Sequence, residues 1–381
     1  EVAGGTATPA SDLGKVTGTV TIAAGATTGT ISITPTDDGV TEGYEGFNVI
    51  VLDSAFATLA TSNNVVIQDG AEAGTTQALA TTIDNLTGTD GNDTFNAVST
   101  ADQGTGSTIS AGDVINAGNG TDTLNISISG LGTAAQTIQA FQAKDMETVL
   151  VSNYDTNADD TEDHAIDLTL STGITKVGLS SSGATGDTSF TGLNAAIVAA
   201  EMKNGAGDLT VTYGAAVVAG LTDTQNLTVS NNTAGTFTVN GAETVSITSE
   251  LAASTLTAVT DTSMTTLNVT GDQNLTITGA LDFAGASTLA GTLDASAFTG
   301  NLTVNMATAE DTTVTGGTGD DTIAYGTTLT TVDVINGGDG TDTVSVNQDT
   351  FTLSSYTNMS NVEVISAEAT AGSTLSVVTA G

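Results

Sequence analysis

Four short stretches of this chain carry glycine and aspartate at spacings that suit a hard divalent cation. Gly316-Gly317-Thr318-Gly319-Asp320-Asp321-Thr322-Ile323-Ala324 and Gly337-Gly338-Asp339-Gly340-Thr341-Asp342-Thr343-Val344-Ser345 fit the pattern G-G-x-G-x-D-x-U-x in full, where U is apolar. Gly88-Thr89-Asp90-Gly91-Asn92-Asp93-Thr94-Phe95-Asn96 and Ala117-Gly118-Asn119-Gly120-Thr121-Asp122-Thr123-Leu124-Asn125 each lack one glycine. Glycine permits a turn tight enough to aim carbonyl oxygens inward. The aspartate at the sixth position adds a carboxylate, and the apolar residue that follows anchors a short strand. Calcium takes six to eight oxygen ligands. One such turn is too few, so the reading requires two turns stacked on the same side, sharing an ion.

The turns accordingly fall into pairs, the one at 88 with that at 117 and the one at 316 with that at 337. The candidate ligands are Asp93, Asp122, Asp321 and Asp342, with Asp90 and Asp339 beside them and Gly88, Gly316 and Gly337 opening the turns. Two nonapeptides make an 18-residue coil, so the wider spacing here predicts one coil plus an insertion, residues 97–112 in the first pair and part of 325–332 in the second. Asp155-Thr156-Asn157-Ala158-Asp159-Asp160-Thr161-Glu162-Asp163 is also rich in oxygen ligands but reads equally well as a solvated loop. It lacks the glycine and terminal Glu of an EF-hand loop. His164, the single histidine, reads as a surface or loop residue.

The segments that must position these turns are short and β-like. From about residue 88 onward, apolar–polar–apolar triplets recur, among them Leu209-Thr210-Val211, Leu227-Thr228-Val229, Phe237-Thr238-Val239, Val245-Ser246-Ile247 and Leu275-Thr276-Ile277. Short strands at close intervals, with turn residues between them, predict a β-solenoid whose coils stack on one another. A second β-sandwich is the competing reading, and Asn240-Gly241 between two strand patterns favours it as a hairpin signal. Helix is scarce; residues 139–148 and 193–203 are the plausible short ones. A long-range duplication relates Asp113-Val114-Ile115-Asn116-Ala117-Gly118-Asn119-Gly120-Thr121-Asp122 to Asp333-Val334-Ile335-Asn336-Gly337-Gly338-Asp339-Gly340-Thr341-Asp342. Before residue 70, Val20-Thr21-Ile22, Thr30-Ile31-Ser32-Ile33, Phe47-Asn48-Val49-Ile50-Val51 and Val65-Val66-Ile67 alternate like antiparallel strands of a small sandwich. The organisation read from these patterns is all-β: a partial sandwich over 1–70, a connector over 71–87, a first calcium-binding β-roll unit over 88–153, a Thr-rich solenoid over 154–315 and a second calcium-binding unit over 316–381.

Composition narrows the function. The 381 residues carry 43 Asp+Glu against 4 Lys+Arg, a formal net charge of −39. Repulsion on that scale opposes compaction unless cations neutralise it. An acidic disordered chain fits poorly, because 38% of residues are hydrophobic and only two are proline. A phosphate backbone would be repelled, so nucleic acid is not expected as a partner. No apolar run approaches the roughly 20 residues of a membrane-spanning helix. With no cysteine, no arginine, no tryptophan and one histidine, no catalytic triad, zinc site or cationic sugar-binding cleft can be assembled. The expectation is a protein that is not an enzyme.

Two resemblances follow from these residues. Gly5-Thr6-Ala7-Thr8, Gly18-Thr19-Val20-Thr21-Ile22, Asp37-Asp38, Glu42-Gly43-Tyr44-Glu45-Gly46-Phe47 and Ile67-Gln68-Asp69 together resemble a Calx-β repeat that begins mid-domain, as in a piece cut from a longer chain. That likeness implies calcium at Asp37, Asp38, Glu42 and Asp69. The paired nonapeptides and Thr-rich triplets over about 85–381 resemble the RTX-type repeats of secreted Gram-negative proteins and, more specifically, calcium-dependent S-layer proteins. The resemblance implies Ca2+ as cofactor, export to the extracellular cell surface, and copies of the same chain as partners in a two-dimensional lattice, with outer-membrane polysaccharide reached through an anchor outside this chain. A large RTX adhesin is the alternative it leaves open. Ice binding through Thr-x-Thr ladders is a third reading, which the irregular spacing of the triplets disfavours.

Overall fold

A computed structural model describes residues 2–5, 19–22, 24, 27–30, 32–34, 43–53, 55–62, 65–69, 73–100, 106–130, 136–156, 164–220, 222–284, 291–306, 311–347, 350–352, 357–368 and 376–378. All regular structure among them is β, and no helix occurs. Two compact units result. One comprises 1–77 with 87–94 and 117–122; the other comprises 78–86, 95–116 and 123–381.

In the first unit Gly43–Leu52 is the central strand of an antiparallel sheet, pairing with Val2–Gly5, Thr58–Thr61 and Val65–Asp69. Phe47 is its buried anchor. Residues 20–22, and residues 30, 32 and 33 of the expected strand over 30–33, are not in strands, and Val20 and Ile22 are exposed. Three alternating residues do not commit a segment to a sheet without a partner to pair with. A second, facing sheet is not found among the described residues of this unit.

The second unit is a parallel β-solenoid of about nine turns over residues 114–367. One sheet runs through eleven strands from Thr123–Gly130 to Met359–Ser360, each hydrogen-bonded to the next coil. Two six-stranded sheets share the other side, one from Gln136–Ile138 to Ala258–Thr260 and one from Ser254–Leu256 to Val364–Glu368. Register stacks like on like. Leu124, Val149, Val177, Ala200, Leu227, Ile247 and Val269 form one inward column. Leu256, Ile277, Val304, Ile323, Val344 and Ile365 form another. All of the first column is buried, as is all of the second except the half-buried Ile365. Each fully buried aliphatic side chain contributes roughly 1.5–3 kcal/mol, so continuous columns offset the ordering of many short strands.

The period-two pattern in Thr244–Ser249, where Val245, Ile247 and Ser249 are buried and Thr244, Ser246 and Thr248 are half-buried, shows why the triplets read correctly as strands. Asn240-Gly241 is a coil corner and not a hairpin. Thr236–Val239 pairs in parallel with Leu209–Tyr213, and Thr244–Ser249 pairs in parallel with Thr224–Ser230 in a different sheet. The short helices expected near 139–148 and 193–203 are instead strands Gln142–Lys144 and Ala199–Lys203 with their connections. Tertiary stacking overrides a weak local preference there.

Candidate calcium-binding turns

The sixth-position aspartates lie at a coil corner, where a strand begins just after the glycine-rich turn. In the solenoid the chain turns through 316–321, enters Thr322–Gly326, and one coil later repeats the corner at 337–342 before Thr343–Asn347. The two strands pair in register, Thr322 with Thr343 and Ile323 with Val344. The 21-residue step therefore needs no insertion. Coils here run from 19 residues (Thr303 to Thr322) to 28 (Thr148 to Lys176), each longer than an 18-residue roll.

Stacking places each carboxylate over the coil before it. Asp321 Oδ1 accepts the Leu302 backbone N–H at 2.8 Å, Asp342 Oδ1 accepts that of Asp321 at 2.9 Å, and Glu363 Oε2 accepts that of Asp342 at 2.9 Å. A column of acids thus staples four coils through backbone donors. The pair in the other unit repeats the arrangement. Asp122 Oδ1 accepts the Asp93 N–H at 2.7 Å, and Asp93 Oδ1 accepts from the Thr75 N–H at 2.5 Å and its hydroxyl at 2.6 Å. All four aspartates are buried.

The two turns of a pair differ at their second oxygen. Asp321 Oδ2 accepts the Gly317 N–H at 2.8 Å, and Asp93 Oδ2 accepts the Thr89 N–H at 2.6 Å, each within its own turn. Gly118, Gly120, Gly338 and Gly340 have left-handed φ, whereas Gly317 and Gly319 do not. At Gly338 the turn is therefore flipped relative to Gly317. Asp342 Oδ2 is left buried with no hydrogen-bond partner. Thr89, the departure from the glycine pattern, is tolerated because its turn is of the unflipped kind, and its hydroxyl also reaches the Asp93 carboxylate.

The first-position glycines close the cradle. A Cβ on Gly337 would overlap the Asn361 carbonyl oxygen and meet Asp342 Oδ2; on Gly316 it would meet the Gly337 carbonyl and Asp321 Oδ2; on Gly88, the Ala117 carbonyl and Asp93 Oδ2. At each of these three glycines a carbonyl oxygen of the next coil converges with the turn's own carboxylate. Burial, then repulsion from Glu363, Asp320 and Asp339, raises the pKa of Asp342. Burial, with Asp342 and Asp320 nearby, likewise raises that of Asp321 against its backbone hydrogen bonds. At Asp93 burial pulls upward but is outweighed by the hydrogen bonds from Thr75 and Thr89, and its pKa is lowered.

No family model matches this chain, and no curated protein matches its sequence. The reading of the turns therefore rests on their own geometry. Among the described residues no three acidic or imidazole side chains form a ready-made metal cage, so a cation here would rely on backbone carbonyls beside the carboxylates.

Asp90 accepts from the Asn119 side chain at 2.8 Å, joining the first pair of turns along their outer edge. Asp339 donates its N–H to the Gly317 carbonyl at 3.0 Å. Asp37, Asp38 and Glu42 lie outside the described residues. Asp69 ends a strand and pairs with Gly43. Two acids in the duplicated phrase went unremarked as functional. Asp113 accepts the Asp84 N–H at 2.9 Å and the Ser110 N–H at 2.6 Å, and Asp333 accepts those of Thr312 at 2.7 Å and Thr330 at 2.8 Å. Their place at the head of both copies was the available signal. His164 is buried at the start of His164–Asp167, with Nε2 3.7 Å from Asp155 Oδ2, and is not a surface residue. Of the dense acidic run, residues 157–163 lie outside the described residues.

Proposed function

We propose that this chain is an extracellular, calcium-stabilised structural protein of a bacterial cell surface, a subunit that assembles with copies of itself into an S-layer lattice. One observation carries the calcium reading: the Asp342 carboxylate is buried at a glycine-rich corner, and one of its oxygens lacks any hydrogen-bond donor. An unsatisfied buried polar group costs about 1–3 kcal/mol, and more when charged. Carbonyl oxygens from the adjoining coil and the acids Asp320, Asp339 and Glu363 supply the hard-oxygen, anionic surroundings that calcium prefers. Calcium would supply charge neutralisation here. The residues that would hold it are Asp342 with the turn carbonyls around Gly337, and by repetition the turns at 316, 88 and 117.

The role is mechanical. Cations neutralise a chain of formal charge −39 and lock coil to coil, and a one-dimensional stack gains rigidity from every such lock. A site at a thousandfold excess of calcium over its dissociation constant adds about 4 kcal/mol to the folded form. Titration calorimetry of chelator-stripped protein tests this. Saturable calcium binding that raises the melting temperature is expected, and an identical melt in excess chelator and in calcium would refute it.

The antiparallel sheet around Gly43–Leu52, built on the residues that resemble a Calx-β repeat, supports a second reading: a large RTX-type adhesin in which that module is a stalk repeat. Lattice formation by the purified protein would separate the two.

A further inference from the structure

The outer face of the eleven-stranded sheet is nearly uncharged on a chain that is otherwise densely acidic. Alternation puts Thr224, Thr244, Thr266, Thr292 and Thr313 in one outward column by register. Within the eleven strands the only outward charged residues are Lys176, Glu201, Lys203 and Asp294, which sum to zero. Glu201 is buried against Gly178 and ion-paired with Lys176 and with Lys203 at 3.3 Å; Lys203 also reaches Glu250, just past a strand end, at 3.9 Å. Counting Glu250 and the exposed Asp272, each one residue past a strand end, the face carries two net negative charges. Half of the chain's four lysines stand on it. It also bares Tyr154 (52% exposed) and Val334 (43%).

We infer that this face is where a second copy of the chain docks, back to back about a two-fold axis. The inference rests on the self-assembly reading above and names its surface. Charge supports it, because this face sets lysines beside acids, whereas the strands of the two six-stranded sheets hold no lysine to meet an acid of a second copy. The pattern is also self-complementary. One outward column runs Lys176, Ala199, Asn226, Ser246, Asn268, Asp294. A two-fold axis between Asn226 and Ser246 sets Lys176 of each copy opposite Asp294 of the other, the isologous arrangement of a closed dimer. The area suffices. Eleven strands about 4.8 Å apart and about four to five residues wide span roughly 50 by 15 Å. That is on the order of 700 Å², close to the roughly 800 Å² per partner of a standard interface.

The test is analytical ultracentrifugation of the calcium-saturated full chain beside an N226E/S246E variant, with calcium binding measured on both by calorimetry. The two-fold axis would set the N226E position of each copy opposite the S246E position of the other, like charge on like. The expected result is a dimer or larger assembly for the wild type and a monomer for the variant, with calcium binding unchanged. Because the chain has no cysteine, S246C gives a second reading that survives misfolding of the double variant: a bismaleimide about 10 Å long, the spacing of two facing sheets, should join two copies there, while T303C, exposed on a strand of a different sheet, should stay uncross-linked. A wild type that binds calcium yet stays monomeric at about 100 µM overturns the inference while leaving the calcium reading intact. So does a variant that associates as the wild type does, or a monomer that uses this face to bind a neutral polysaccharide. Absence of calcium binding would instead sink the reading beneath it.

Discussion

Replacing Asp342 by Asn separates a calcium ligand from a corner staple. The amide keeps Oδ1, so the Asp321 N–H at 2.9 Å retains its acceptor. What is lost is the charge, together with a buried oxygen that has no donor. In calcium-free protein the substitution removes repulsion from Glu363, Asp320 and Asp339 and a burial cost of about 1–3 kcal/mol. The variant should therefore melt at the same temperature as the wild type or higher. In calcium it should forfeit the site's increment, about 4 kcal/mol at a thousandfold excess over the dissociation constant. For a unit of this size 1 kcal/mol moves the midpoint by about 2–4 °C. The calcium-induced rise should shrink by roughly 10 °C if the solenoid melts as one unit. Differential scanning calorimetry in chelator and in calcium reads both limbs. A variant that is less stable without calcium, yet keeps the full calcium-induced rise and the wild-type ion count, would refute the argument.

Acid should act in opposite senses on the two pairs of turns. Asp321 and Asp342 have raised pKa values, so calcium-free stability of the solenoid falls as pH climbs from about 4, the ordinary carboxylate value, through their folded values. Asp93 has a lowered one, so the stability it lends its own unit is present above about pH 4 and drains as pH drops through its folded value; hydrogen exchange across pH 3–6 in chelator reads the two regions separately. Asp113→Ala and Asp333→Ala should each cost about 1–3 kcal/mol by orphaning two backbone donors. Denaturant titration should show that cost to be the same with and without calcium, unlike that of D342N. Glu201→Gln should cost about 1 kcal/mol, because Lys176 and Lys203 can turn to water. The K176M/K203M pair should cost about 3–5 kcal/mol by stranding Glu201 as a buried charge, measured in the same titrations.

The solenoid was legible because its coils repeat one rule, visible in Leu227-Thr228-Val229 and Val245-Ser246-Ile247: apolar in, hydroxyl out. The paired turns were legible because glycine and aspartate at fixed offsets have few other uses. Coil length was not legible. It is set by corner loops such as 214–220, whose composition carries no period, so ordinary coils looked like short rolls with insertions. The Asn240-Gly241 signal misled because the dipeptide reports a bend and not which sheet the next strand joins. His164 was misplaced because nothing local says that its strand stacks inside, beside Asp155. The job of Asp113 and Asp333 was hidden too, since capping a neighbouring coil's N–H is a relation across 21 to 29 residues.

The most direct test is a crystal structure of the full chain grown in calcium, with anomalous scattering used to place the ions. The account predicts a peak about 2.3–2.6 Å from the Asp342 carboxylate and from carbonyl oxygens at the turn around Gly337. A map without a peak there, with Asp342 Oδ2 instead taking a hydrogen bond from a protein or water donor, would contradict it.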